Sequence, residues 1–356
     1  MRAAVYHGPG DLRVERIPKP EAMPGGALLE VSYCGLCGTD IKTYRRGHHM
    51  FTPPCVLGHE VVGRIVEMKD PHSSVSVKEG DLVAVAPYVP CFVCSLCARG
   101  RHELCRHKDW IDGGFAEYVA VPSGVLEKGT FRVPDGLDLR VAALAEPLAC
   151  CLNAVTDSNV RMGETVLIIG AGPMGMMMLE SCKAVGATKL LVSEPDELRR
   201  SQAEGRGALG IDPGRSSVAE WVNDVTCGAG ADVVFVCVGA AEAVGEAMAA
   251  AGPGGIVNVF GGLAGGTTIS VDARRIHYDE VTLTGSFGFA PEHFRVALAM
   301  LASGRVGAEG IITHEFGLDD DLHRIAGKRA PIADAPLRPV NLADGGKAQH
   351  AIAPAQ

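Results

Sequence analysis

The stretch Thr165-Val166-Leu167-Ile168-Ile169-Gly170-Ala171-Gly172-Pro173-Met174-Gly175 decides the fold of this chain. Five apolar or β-branched residues read as a buried strand and run straight into Gly-x-Gly-x-x-Gly. A helical stretch, Met176 to Val185, comes next. A second strand, Lys189 to Ser193, then stops at Glu194, 19 positions after the last glycine. The glycine string alone is a weak signal; between a strand and a helix, with an acidic residue at that distance, it is a dinucleotide fingerprint. The glycines let the backbone turn tightly and approach a pyrophosphate, which rests on the helix N-terminus. Gly170, Gly172, Pro173, Met174 and Gly175 are therefore the expected coenzyme-binding residues. Glu194 accepts from the adenosine ribose hydroxyls and repels a 2′-phosphate, which favours NAD over NADP. Arg199, beside Arg200, is counted with the coenzyme contacts, and its charge works against that repulsion.

Outward from this unit the alternation continues. Ala231 to Val238 and Gly255 to Phe260 read as buried strands with a helix-like Ala240 to Ala251 between them, and Val281 to Ser286 as a last one. A third strand near Ala208 to Ile211 is weakly written. Alternating strands and helices predict an α/β fold with a doubly wound parallel sheet. Towards the N-terminus the texture is short β-type runs divided by Gly and Pro: Ala27 to Val31, Glu60 to Val66, Asp81 to Val85 and Gly114 to Val119. After Phe289 come a helix, Pro291 to Ser303, and a strand, Ile311 to Thr313. From Arg329 the chain is rich in Pro, Ala and Gly, and its last ten or so residues are expected to be poorly ordered.

The loops of the β-rich part carry metal-ligand chemistry. In Cys34 to Gly63, Cys37 begins Cys-Gly-Thr-Asp, and His59 and Glu60 stand together 22 residues later. A thiolate, an imidazole and a carboxylate can hold a catalytic zinc with a position left open, and sulfur argues against magnesium or calcium. Thr39 is placed for its hydroxyl to reach an oxygen on the same metal. Four of the twelve cysteines crowd into Cys91-x2-Cys94-x2-Cys97-x7-Cys105. An iron–sulfur run would continue with x3-Cys-Pro, whereas here the last gap is seven and Arg106 follows. A closed four-cysteine zinc site fits better, and with no open position it is structural.

Bulk properties bound the function. At 356 residues the chain suits two domains, and 47% hydrophobic with 21% charged residues is ordinary for a globular enzyme. A formal charge of −9 supplies no phosphate-tracking face, so nucleic acid is not an expected partner. The N-terminus lacks an apolar run of signal length, and no stretch nears the roughly 20 apolar residues that span a bilayer. A cytoplasmic protein, with no membrane partner, is expected.

These motifs, in this order, resemble the zinc-containing medium-chain dehydrogenases, and more closely their polyol, sugar and threonine dehydrogenase branch. The resemblance covers roughly residues 1–325. Its carriers are Cys37-Gly38-Thr39-Asp40, Gly58 to Gly63, the four cysteines, Gly113 to Tyr118, Glu146-Pro147-Leu148 and Gly170 to Gly175. It implies a GroES-like catalytic domain over 1–153, with a structural zinc lobe at about 88–108, and a Rossmann domain over 154–288. It also implies that 289–356 returns to the catalytic domain, and that the active site lies in the cleft between the domains. By the same resemblance Glu146 lies at the metal, so that Cys37, His59 and Glu146 bind zinc with Glu60 alternating, directly or through water. Cys150 and Cys151 compete for that role but lie further on, inside a predicted helix. The implied catalytic set is Cys37, Thr39, His59, Glu60 and Glu146, with two zinc ions per chain, NAD, a small alcohol as substrate and a homodimer or homotetramer.

Three departures stand out. Lys42 replaces the histidine that often ends the family's proton relay, and Gly288-Phe289 stands where sorbitol dehydrogenases hold the polyol with Arg-Tyr. The usual final helix and strand are blurred beyond Lys328. The expected reaction is oxidation of a secondary alcohol to a ketone; a biosynthetic reductase, or a non-catalytic NAD-binding scaffold, are the rivals. Trp110 and Phe289 are candidates for the pocket wall.

Overall fold

A computed structural model of the protein describes residues 1–318 and 350–354. By their contacts these fall into two units. One is Met1–Glu146 with Ala290–Gly304 and the described residues from Ala308; the other is Pro147–Phe289 with Arg305–Gly307.

Alternating burial builds the first unit. Its strands are β1 (Arg2–Gly8), β2 (Asp11–Arg16), β3 (Ala27–Gly35), β4 (Cys55–Val56), β5 (Glu60–Met68), β6 (Leu82–Val85), β7 (Tyr88–Val89), β8 (Asp109–Trp110), β9 (Tyr118–Val121) and β10 (Thr130–Arg132). Antiparallel pairing of β3 with β5, and of β5 with β6, faces Leu29, Val31, Val61, Ile65, Val83 and Val85 into one core with Phe115, Val119 and Val121. Helices α1 (Gly38–Arg46), α2 (Ser123–Lys128) and α3 (Leu139–Ala142) sit between strands. The strand expected over Gly114 to Val119 begins only at Tyr118. The reason is hydrogen bonding: Gly114 N and Phe115 N donate to Gly58 O and Leu57 O, and Glu117 N donates to Arg2 O. That segment divides its bonds between a loop and β1, so pairing with β3 starts at Tyr118.

The second unit opens in α4 (Ala145–Asp157) and holds the parallel sheet. Its strands are β11 (Thr165–Ile169), β12 (Lys189–Ser193), β13 (Leu209–Ile211), β14 (Ala231–Val236), β15 (Ala251–Val259) and β16 (Thr282–Gly285), in the order β13-β12-β11-β14-β15-β16. Chain order reverses between β11 and β14, the switch point where such sheets bind ligands. Between the strands lie α5 (Pro173–Val185), α6 (Glu197–Glu204), α7 (Val218–Val225), α8 (Ala241–Ala250) and α9 (Ala273–His277). Leu167, Leu191, Val234 and Val257 from the strands and Val244 and Met248 from α8 share its core. Burial of Val166 to Ile169 in β11 and of Val233 to Val236 in β14 explains the apolar runs there.

The chain then adds α10 (Pro291–Ala302), β17 (Ile312–Gly317) and β18 (His350–Pro354) to the first unit. β18 pairs parallel with β3 and antiparallel with β17, extending the main sheet. Part of the stretch expected to lack order is therefore a strand, because β3 offers it an unpaired edge at Tyr33 to Gly35. The rest of that stretch, and the blurred region from Arg329, lie outside the described residues.

Candidate active site

Three sequence-distant ligand types meet in the first unit. The ligand atoms of Cys37, His59 and Glu60 all lie within 4.8 Å of one another. Cys37 is the N-cap of α1: its Sγ accepts from Thr39 N at 3.4 Å, and Asp40 Oδ2 accepts from Cys37 N at 2.9 Å. This reciprocal cap pins the cysteine and starts the helix. Asp40, 2% exposed, also accepts from Gly58 N at 3.3 Å and places Oδ1 3.6 Å from His59 Nδ1. One buried carboxylate thus ties the Cys37 turn to the loop that presents His59.

Glu60 opens β5 opposite Gly35 of β3, and its carboxylate occupies the space a side chain at position 35 would need: a Cβ there would lie 1.7 Å from Oε2. Burial, reinforced by Glu146 and Asp40 and opposed by His59, raises the Glu60 carboxyl to about 8. Glu146 is buried in the first turn of α4, close enough to act on Glu60, but stands outside the triple. Burial works against charge on His59, yet Asp40 and Cys37 outweigh it and raise its pKa well above the ordinary value. Without a metal, the crowded acidic groups hold protons on Glu60 and His59, and a cation placed among them would take over that compensation. The donor set of sulfur, nitrogen and oxygen is that of a catalytic zinc, and the residues fit it.

The four-cysteine lobe is closed. Sγ–Sγ distances are 3.5 Å for Cys94–Cys97 and Cys91–Cys105, 3.8 Å for Cys94–Cys105 and 4.0 Å for Cys91–Cys97. Sulfurs about 2.3 Å from a common tetrahedral centre stand about 3.8 Å apart. A disulfide would need about 2.05 Å, and all four thiols are free. Cys105 Sγ accepts from Cys91 N and His107 N, each at 3.3 Å. A backbone N–H of Cys97 is the main cause that lowers Cys94 to about 6. Trp110 belongs to this region, its ring 4.8 Å from Tyr88, while Phe289 is fully buried.

The glycine turn of the second unit gives each glycine a separate task. A Cβ on Gly175 would lie 1.8 Å from Gly170 O, so this glycine lets α5 pack on the turn. A Cβ on Gly172 would meet nothing within 4 Å, so this one faces open space. Gly172 caps α5, Pro173 occupies the first turn, and no side chain bonds the helix N-terminus. Glu194, 5% exposed, accepts from Ala171 N at 2.7 Å and from Asp196 N at 3.0 Å, which holds it against the turn. Ser193 Oγ and Arg199 Nε are buried without a hydrogen-bond partner. Arg200 is engaged with Glu194 O at 2.7 Å. An open glycine, an uncapped helix start and unpartnered polar atoms beside the acidic residue fit a dinucleotide.

Sequence reading missed Asp40. Its signal was present, since an acidic residue three after a helix-capping position is the capping-box spacing. No signal marked Gly35 as the partner of Glu60, because that pairing exists only across the sheet.

A metal-ligand set on a β-rich unit and a dinucleotide turn on a parallel sheet define a metal- and coenzyme-dependent oxidoreductase. Residues 23–135 match the model of the alcohol dehydrogenase GroES-like domain, and residues 173–303 that of the zinc-binding dehydrogenases. The sorbitol dehydrogenase of Halalkalibacterium halodurans is 32% identical, over 90% of this chain and 94% of its own. The L-threonine 3-dehydrogenase of Pyrococcus furiosus is 33% identical, over 84% of this chain and 86% of its own. Among solved structures, a putative zinc-binding dehydrogenase from Sinorhizobium meliloti bound to NADP has a TM-score of 0.83 at 31% identity, covering 99% of this chain and 98% of that one. The chain belongs to the zinc-dependent medium-chain dehydrogenase family. Among the described residues no helix is long and apolar enough to cross a membrane.

Proposed function

We propose that the protein oxidises a secondary alcohol, of the polyol, sugar, cyclitol or amino-alcohol type, to a ketone with NAD. The gathering of Cys37, His59 and buried Glu60, beside buried Asp40 and Glu146, carries this reading. When bound, zinc supplies Lewis acidity at the alcohol oxygen and NAD takes the hydride. Cys37, His59 and Glu146 hold the metal, and Glu60 alternates with Glu146. Glu60 also borders a small cavity lined by Gly35, Arg140, Ala143 and Leu144. Asp40 holds His59 at Nδ1, leaving Nε2 for the metal. Thr39 Oγ1 takes the alcohol proton and passes it towards solvent. Cys91, Cys94, Cys97 and Cys105 hold a second zinc that takes no part in turnover, giving two ions per chain.

In this reading 1–153 and 289–356 form the catalytic domain and 154–288 the coenzyme domain. Gly170, Gly172, Pro173, Met174 and Gly175 receive the pyrophosphate, and Glu194, with Arg199, the adenosine ribose, which favours NAD. Twelve free cysteines support a reducing, cytoplasmic setting. The outer side of β16, unpaired among the described residues, supports self-association into a homodimer or homotetramer. The test is a screen of secondary alcohols for NADH formation, and of the matching ketones for its consumption, with zinc-loaded protein. No turnover in either direction by protein that binds NADH overturns the reading.

A further inference from the structure

The apolar pattern of the parallel sheet is interrupted at Asn258. In Ile256-Val257-Asn258-Val259 of β15 an asparagine stands among β-branched residues, and it is fully buried. Asparagine is depleted in strands, and a buried amide must find partners or cost stability. Asn258 Nδ2 donates to Ser158 Oγ and to Ser286 Oγ, each at 2.9 Å. Ser286 Oγ in turn donates to Asp157 Oδ2 at 2.8 Å, and Asn153 Nδ2 donates to the same oxygen at 3.5 Å. The direction of this chain of bonds is fixed: a carboxylate only accepts, so the Ser286 hydroxyl gives its proton to Asp157 and receives from the amide. Asn258 Oδ1 is then left buried with no hydrogen-bond partner among the described residues. Such an orphan acceptor costs about 1–3 kcal/mol. Asp157 also ends α4, where a negative charge opposes the helix dipole. Neither Asn258 nor Asp157 stands where stability alone would place it, and conflicts of that kind mark functional places.

The bonds hold the start of the segment that leaves β16. Thr284 is the β16 partner of Asn258, and Ser286 follows two residues on, on the same face and just past the last strand residue, Gly285. Ser286 therefore stands at the carboxyl end of the sheet, the edge where such folds receive ligands. At the other end of segment 286–289 Phe289 is fully buried, so the segment is anchored twice, with Gly288 at a φ of 64° and Phe287 58% exposed between the anchors. In the order β13-β12-β11-β14-β15-β16 the glycine turn and Glu194 belong to the half built on β11 to β13, which takes the adenosine end of a dinucleotide. The nicotinamide end falls to the half built on β14 to β16, and segment 286–289 leaves the carboxyl end of that half. A connected polar network holds its members in one arrangement.

We propose that Ser286, held by Asn258 and Asp157, is a positioning residue that sets segment 286–289 against the nicotinamide end of the coenzyme. This rests on the NAD reading above and concerns the end of the coenzyme remote from Glu194. The test compares two ligands by calorimetric titration: NADH, and ADP-ribose, which keeps the adenosine and pyrophosphate and lacks the nicotinamide. Ser286→Ala removes the hydroxyl that joins amide to carboxylate, and should weaken NADH about tenfold while leaving ADP-ribose within about twofold. Asn258→Leu, of similar size, should do the same, and Ser286→Thr, which keeps a hydroxyl, should hold NADH affinity within about threefold of the unsubstituted protein. The fluorescence of bound NADH, which reports on the reduced ring, should change in the Ala and Leu variants and not in the Thr variant. Ser286→Ala is the deciding variant, since it removes one oxygen from a half-buried residue outside the strand, whatever Asn258→Leu does to folding. An unchanged ratio of NADH to ADP-ribose affinity in Ser286→Ala overturns the proposal and leaves the NAD reading standing. So does unsubstituted protein that binds ADP-ribose as tightly as NADH, because the nicotinamide end is then not held. Unsubstituted protein that binds neither ligand overturns the NAD reading and this proposal together.

Discussion

Replacing Gly172 and Gly175 by alanine, one at a time, is expected to separate coenzyme binding from folding. The added methyl of Gly172→Ala meets no atom within 4 Å, so the folded chain accommodates it. Alanine is a poorer N-cap than glycine, by up to about 1 kcal/mol. The stiffer unfolded chain returns about 0.4–1 kcal/mol. Net stability should therefore move by less than about 1 kcal/mol. The methyl occupies the open space a pyrophosphate needs, and NADH affinity should fall about 30-fold or more, equivalent to about 2 kcal/mol. Gly175→Ala puts Cβ 1.8 Å from Gly170 O, a backbone atom that no rotamer change can move. Helix and turn must separate, at a cost of about 3 kcal/mol. For a unit of this size that lowers Tm by roughly 6–12 °C. NADH fluorescence titration and thermal unfolding read the two effects on the same samples. Normal NADH binding by Gly172→Ala, or a Tm loss equal to that of Gly175→Ala, would refute the division of labour.

Elemental analysis should find two zinc ions per chain; Cys94→Ser should lose one of them together with thermal stability, whereas Cys37→Ser should lose turnover and keep its fold. One zinc in the unsubstituted protein, or an active Cys37→Ser, contradicts the two-site assignment. Glu194→Ala removes the acceptor for Ala171 N and Asp196 N and should cost about 1–2 kcal/mol. It should also shift the ratio of NAD to NADP affinity towards NADP, and an unchanged ratio means that Glu194 does not face the ribose. Metal-free protein should lose stability with rising pH. The Glu60 carboxyl is raised from 4.5 to about 8, so the folded state favours its protonated form, an advantage present below pH 4.5 and lost by about pH 8. His59, also raised, loses its contribution in the same direction. Zinc should therefore stabilise most at the alkaline end, and parallel Tm profiles for metal-free and zinc-loaded protein between pH 5 and 8 would rule this out.

What could be read from the chain was whatever neighbouring residues encode. The strand–turn–helix from Thr165 to Val185 was legible because buried parallel strands are apolar throughout and the turn needs glycine. The four-cysteine lobe was legible because its ligands lie within 15 residues and their spacing nearly defines their geometry. Zinc and coenzyme chemistry followed from those residue types. The tertiary structure alone decided which distant groups share a site. Cys37, His59 and Glu60 meet because β3 and β5 pair in a register that sets Glu60 opposite Gly35, and a register is not written in either strand. Asp40 acquires its bond to the His59 loop from the same packing, Glu146 its place beside Glu60 rather than within the triple, and the Gly114 segment its bonds to Leu57 and Gly58. Periodicity and turn chemistry act over a few residues; burial and cross-strand contact act over any separation, and they assemble the site.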